Sequence, residues 1–130
     1  MNIGDKNISR DIVCERNIAS SVGSGLLPVY STPFMVSLME NAASDYLAKE
    51  LPEGKGSVGI HIDIDHISAT PVGMAVFAQA EVTGISENGK IIDFKVEAYD
   101  EAGLIGKGSH TRAVITNDRF MEKCLSKLDM

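Results

Sequence analysis

Apolar residues recur with a helical period in one segment of the chain and with a period of two in most of the rest. Between Pro33 and Glu50, Met35, Leu38, Met39, Ala42, Tyr46 and Leu47 return every three or four residues, which predicts one long amphipathic helix. Ser31 or Thr32 can cap its start, Pro33 brings the fixed φ that suits a first helical position, and Pro52, Gly54 and Gly56 end it. At ~1.5 Å per residue the helix is on the order of 27 Å long, so it is expected to be the central one. From Ser57 onward Val58, Ile60, Ile62 and Ile64 share one face of a strand, and Gly59, His61, Asp63 and Asp65 share the other. Ala69 to Gly73 breaks that strand, and a second runs from Met74 to Ser86. Asn88-Gly89 marks a hairpin into a strand on which Ile92, Phe94, Val96 and Ala98 alternate with Asp93, Lys95 and Glu97. Asp100 to Gly103 form the next turn, Leu104 to Thr116 the last strand, and Asp118 can cap a short terminal helix with Phe120, Met121, Cys124 and Leu125. Upstream, Ile12 to Ser21 is read as the first strand, and Val22 to Tyr30, with Gly23, Ser24, Gly25 and Pro28, as a loop.

The resulting order is β-α-β-β-β-β-α. Adjacent hairpins predict an antiparallel sheet, and one long helix supplies the layer that covers its apolar face, which makes the fold class α+β. A sheet wrapped round one helix matches the hotdog architecture, although other small α+β folds share this order of elements. No repeat or linker interrupts the sequence, so residues 1–130 are expected to form a single domain.

Composition narrows the functional classes. A formal charge of −6, from 12 Lys and Arg against 18 Asp and Glu, disfavours general nucleic-acid binding. An anionic group would need a local cluster such as Arg112, Lys107, Arg119 and Lys123. No apolar run approaches the ~20 residues of a membrane span. The N-terminus lacks a basic stretch followed by an apolar run, so the cytoplasm is the expected location. Cys14 and Cys124, far apart and outside any CxxC pair, are expected to be buried free thiols.

Three residues could carry chemistry. Strand parity places His66 with Ile62 and Ile64 on the face turned toward the helix. The plain alternative is a strand-end histidine satisfied by a backbone partner. Glu40 lies within the apolar stretch Phe34 to Leu47, which predicts a partly buried carboxylate, against the alternative of an ordinary glutamate reaching solvent at a dimer or loop edge. Thr32 stands at the helix start, where capping alone could account for it, and its hydroxyl beside the helix N-terminus could also orient a carbonyl, position water or attack. A hydroxyl, a carboxylate and an imidazole converging on one pocket would suit hydrolysis of an activated acyl group. Gly54-Lys55-Gly56-Ser57 and Gly106-Lys107-Gly108-Ser109 lack P-loop spacing, and no GxSxG elbow is present. His61, Asp63 and Asp65 read as a solvated strand face, so no metal is assigned.

Taken together, Thr32-Pro33-Phe34-Met35-Val36 leading to Glu40, His66 followed by Ala69-Thr70-Pro71-Val72-Gly73, and Ile105 through Ile115 resemble the fluoroacetyl-CoA thioesterase-like branch of the hotdog thioesterases. The resemblance spans about Val29 to Phe120. It implies hydrolysis of an acyl-CoA thioester at a homodimer interface, with tetrameric assembly left open and no cofactor beyond the coenzyme A of the substrate. The family's functional Thr, Glu and His fall on Thr32, Glu40 and His66. Its glycine near the acyl group falls on Gly59, and its arginine near the end of the last strand on Arg112, which with nearby lysines could meet the CoA phosphates or could equally form a strand-end salt bridge. By this analogy Glu40 is nucleophile or general base, His66 polarises or relays a proton, and Thr32 holds the thioester. The segment Val22 to Tyr30 departs from the pattern, because the fluoroacetyl-specific enzyme has a longer, Phe-containing lid there. A general short-chain acyl-CoA is therefore the expected substrate. The rivals are a non-catalytic acyl-CoA or small-ligand binding dimer and an enoyl-CoA hydratase. The hydratase is the weaker of the two, because Asp65 and His66 adjoin directly and so project to opposite faces.

Overall fold

A computed structural model describes all residues from Met1 to Met130. The central helix, α2, spans Thr32–Glu50 and follows a first strand, β1 (Lys6–Ile12), and a short helix, α1 (Ala19–Val22). Four strands come next, β2 (Lys55–His66), β3 (Ala75–Ile85), β4 (Ile91–Asp100) and β5 (Gly103–Thr116), and α3 (Asn117–Leu125) follows them. All strand pairs are antiparallel, in the order β1-β3-β4-β5-β2. This is the expected α+β hotdog arrangement, with the short α1 as an addition.

The core follows from alternation. Val76, Ala78, Ala80 and Val82 of β3 and Ile92, Phe94, Val96 and Ala98 of β4 are buried, with Met35, Leu38, Met39, Ala42, Ala43 and Leu47 of α2 in the same cluster. Small alanines on both strands let the helix lie close, and each fully buried Leu or Met side chain contributes about 1.5–3 kcal/mol. The β4–β5 turn is fixed by Asp100, whose Oδ1 accepts from the amides of Ala102 and Gly103 while Oδ2 accepts from the buried Thr70 hydroxyl. At the β3–β4 hairpin Gly89 has a φ of 73°, which explains the Asn-Gly pair.

The first strand is displaced from its expected position. β1 lies at Lys6–Ile12, not Ile12 to Ser21, and its helix-facing residues are polar. Asn7 Nδ2 donates to the Ala42 carbonyl at 2.9 Å and Ser9 Oγ bonds Asn41 Oδ1 at 2.6 Å, so hydrogen bonds replace apolar packing along this seam. The apolar Val13 and Ile18 that suggested a strand are buried in the irregular segment after it. The cysteines also differ from expectation. Both are free, but Cys14 is half-buried and Cys124 exposed. No helix is long and apolar enough to cross a membrane.

Candidate active site

The N-terminus of α2 settles the role of its first two hydroxyls. Ser31 is the N-cap, accepting from the Phe34 amide at 3.3 Å, so Thr32 is released from capping. Its Oγ1 lies 2.7 Å from Nδ1 of His66, the last residue of β2. His66 faces the helix as its parity predicted, opposite Gly106 of β5. A side chain at 106 would collide with Met35, so the glycine lets β5 pass under the start of α2. Burial pushes the His66 imidazole below its ordinary pKa, with a backbone contact at Ser68 acting weakly the other way. The ring is therefore neutral near pH 7. Its Nε2 is buried and has no hydrogen-bond partner, which is costly unless something else occupies that direction.

Two turns along α2, Glu40 belongs to a second cluster. Its Oε2 accepts from the Arg112 guanidinium at 3.4 Å and lies 4.0 Å from His110 Nε2, while its side chain remains 42% exposed. The carboxylate thus reaches the open edge of the sheet with one oxygen held and Oε1 free of protein partners.

Arg112 is only 6% exposed and its nitrogens are engaged within the protein: Nε donates to Ser57 Oγ and one terminal nitrogen to the Ser57 carbonyl. The other terminal nitrogen serves both Glu40 and His110. The guanidinium is thus held in an ion pair with Glu40, which is the salt-bridge alternative for Arg112. His110 is 1% exposed, with Nδ1 at 2.7 Å from the His61 carbonyl and Nε2 at 3.2 Å from Arg112. An acceptor on one side and a donor on the other fix one tautomer: Nδ1–H donates to the His61 carbonyl and Nε2 accepts from Arg112, as a neutral ring can. Burial, the largest effect on it, lowers the His110 pKa and keeps it in that form. Arg112→Met is expected to lower stability by about 2–4 kcal/mol in urea unfolding, because it orphans His110 Nε2 and the Ser57 groups in the interior.

Gly59 completes this cluster, though simple alternation put it on the polar face with His61. A bulge between Gly59 and His61 reverses the parity of the strand's first half. Gly59 consequently opposes Arg112 and faces the helix, and a Cβ there would sit 2.5 Å from Glu40 Oε2 and 3.0 Å from His110 Cε1. The bare backbone keeps open a cleft of about 200 Å³ lined by Glu40, Gly59, Ile60, His61, Ile62 and His110.

Within one chain, then, the three expected residues form two groups, Thr32 with His66 and Glu40 with Arg112 and His110. They are separated by about 12 Å of helix rise. Sequence reasoning missed His110 and Ser57. For His110 a signal was present, since it shares the strand parity of Arg112. Arg119 and Lys123 do converge as expected, but with Lys55 and Lys90 and not with Arg112 or Lys107. Lys107 lies in a different cleft with Asp63 and Asp65. No group of three His, Cys, Asp or Glu side chains is arranged to hold a metal.

A family model described as fluoroacetyl-CoA-specific thioesterase matches residues 13–118. The chain belongs to this family. It is 39% identical over 99 residues to the fluoroacetyl-CoA thioesterase of Streptantibioticus cattleyicolor, an alignment covering 76% of this chain and 70% of that protein. Among solved structures, a mutant of the fluoroacetyl-CoA thioesterase FlK in complex with fluoroacetate superposes with a TM-score of 0.91 at 31% identity, covering 98% of both chains. A thioesterase superfamily member from Thermus thermophilus superposes with a TM-score of 0.87 at 26% identity, over 98% of this chain and 93% of that one. Family membership and the hotdog fold therefore agree with the resemblance drawn from the Thr32, Glu40 and His66 motifs.

Proposed function

We propose that this chain hydrolyses short-chain acyl-CoA thioesters to the free acid and CoA, in a site that two copies build together. The observation that carries the reading is the Thr32–His66 pair, a neutral imidazole on a hydroxyl with its outer nitrogen buried and unpartnered. Such a nitrogen suits a reacting group or water that arrives with the substrate.

The free edge of β2 supports the pairing of two copies. This strand of 12 residues bonds only β5, and its own Ile60 and Ile62 are 54% and 38% exposed. A long apolar edge invites a further strand. Antiparallel pairing of two β2 edges about a two-fold axis between Ile62 and Asp63 sets Gly59 of one copy opposite the partner subunit's His66. Glu40 of one copy then joins Thr32 and His66 of the other. Tetrameric assembly would be a further step beyond this pair.

In this arrangement Glu40 takes a proton from water as the oxygen attacks the thioester carbonyl. Thr32 and His66 hold the developing oxyanion or relay the proton. The C–S bond breaks as the intermediate collapses, and the CoA thiolate is protonated on leaving, so one water is consumed for each acid and thiol released. Direct attack by Glu40 followed by hydrolysis gives the same products. Neither route asks for a cofactor beyond the CoA of the substrate, and an acyl-CoA substrate suits a cytoplasmic enzyme. Tyr30 is buried in the core, and the large exposed apolar side chains of the Val22 to Tyr30 segment are the aliphatic Val22, Leu26 and Leu27. With no aromatic lid, a general short-chain substrate fits better than fluoroacetyl-CoA alone.

The test is release of free CoA from short, branched, aromatic and halogenated acyl-CoAs. Turnover of short-chain members is expected. Binding without release from any of them would replace this reading with that of a ligand-binding dimer.

A further inference from the structure

The chain's unpaired cations are unevenly placed. Lys6, Arg16, Lys49, Lys95 and Arg112 are each within 4.0 Å of a carboxylate. The other seven are not, and four of these, Lys55, Lys90, Arg119 and Lys123, line one cleft of about 320 Å³ at the end of β5. They come from three separate places, the start of β2, the β3–β4 hairpin and successive turns of α3. No Asp or Glu lines the cleft, in a chain with 18 of them. Lys127 borders the adjoining hollow, which shares Phe120 and Lys123. Like charges held together without counterions repel one another, and an anion bound among them relieves that repulsion. Thr116 Oγ1 accepts from Lys55 Nζ at 2.8 Å and from Arg119 at 3.5 Å, so two of the cations are anchored on one hydroxyl. Phe120, 38% exposed, adds an aromatic surface on which a base can stack.

We infer that this cleft binds the phosphates and adenine of the CoA moiety, an inference that rests on the thioesterase reading above. Its position fits. Lys55 pairs with Thr116 and Gly59 with Arg112, so the cations and the Glu40 cleft lie four residues apart along the same two strands. That distance is about 13 Å, a span suited to an extended pantetheine arm. The charged part of the substrate is then gripped at the sheet end while the thioester reaches the reacting groups. Arg119, Phe120 and Lys123 lie just past residue 118, where the family match ends.

The experiment compares acetyl-CoA with S-acetylpantetheine, which lacks the phosphates and the adenosine, in the wild type and in a Lys55→Glu/Arg119→Glu/Lys123→Glu variant. The wild type is expected to prefer acetyl-CoA, and the variant to lose that preference by about tenfold or more in the ratio of kcat/KM values. The acetyl-CoA advantage of the wild type should also fall steeply with salt. An unchanged ratio with hydrolysis intact overturns the cleft and leaves the thioesterase standing. If neither thioester is hydrolysed the thioesterase reading fails, and calorimetry with adenosine 3′,5′-bisphosphate decides the cleft separately. Binding that the variant weakens about tenfold supports it, and no binding to the wild type overturns it.

Discussion

Glu40→Gln is expected to lower kcat/KM for acyl-CoA hydrolysis by about 10²- to 10⁴-fold, the range for loss of a group that moves a proton or attacks. The substitution is nearly isosteric. The Gln carbonyl can still accept from Arg112, so the buried guanidinium keeps a partner and the fold should survive. The carboxylate is 42% exposed, which limits what its ion pair contributes to stability. A melting temperature close to wild type alongside the lost rate would therefore assign the effect to chemistry. Wild-type kinetics in this variant would remove Glu40 from the mechanism.

His66→Ala should cost a similar factor, and the histidine leaves a signature in pH. Burial depresses its pKa, so the ring stays neutral below the usual histidine range and protonates only at lower pH. A step that needs the neutral ring is thus retained through pH 6.5 and lost as pH falls through the depressed value. The acid limb of kcat/KM is expected below pH 6.5. A limb above that value would assign the titration to another group. The same variant tests how the two clusters meet. Mixed and reassembled with Glu40→Gln chains, His66→Ala chains should recover about a quarter of wild-type activity, because half the dimers are mixed and each holds one intact site of two. No recovery, with exchange of subunits verified, would place all three residues in one chain's own site.

Much of the architecture was legible in the sequence for a simple reason. Wherever one face of an element meets the core and the other meets water, burial writes the period of the element into the chain. That holds for α2, β3 and β4, whose buried residues repeat as expected. It fails for β1, where Asn7 and Ser9 point inward to hydrogen bonds with α2 while Ile8 and Ile12 are exposed. The hydrophobic pattern of that strand is inverted, and the apolar residues just after it drew the strand assignment downstream. Proximity in sequence also shows local chemistry well. Ser31 and Thr32 were both visible as capping candidates, and His66 was correctly turned toward the helix.

By itself the sequence determined the α+β class, the long helix, four of the five strands and the identity of the Thr32, Glu40 and His66 motifs, because each depends on short-range periodicity or on residue type. Only the tertiary structure decided which hydroxyl caps α2 and which meets His66. It also decided that a bulge turns Gly59 toward Glu40, that Arg112 is buried on Ser57 and His110, and that four cations gather around Phe120. Each of these depends on groups distant in the chain meeting within a few ångströms, Glu40 and Arg112 being 72 residues apart. Contacts of that kind are set by strand register, and a single extra residue in β2 is enough to reverse which side chains face the site.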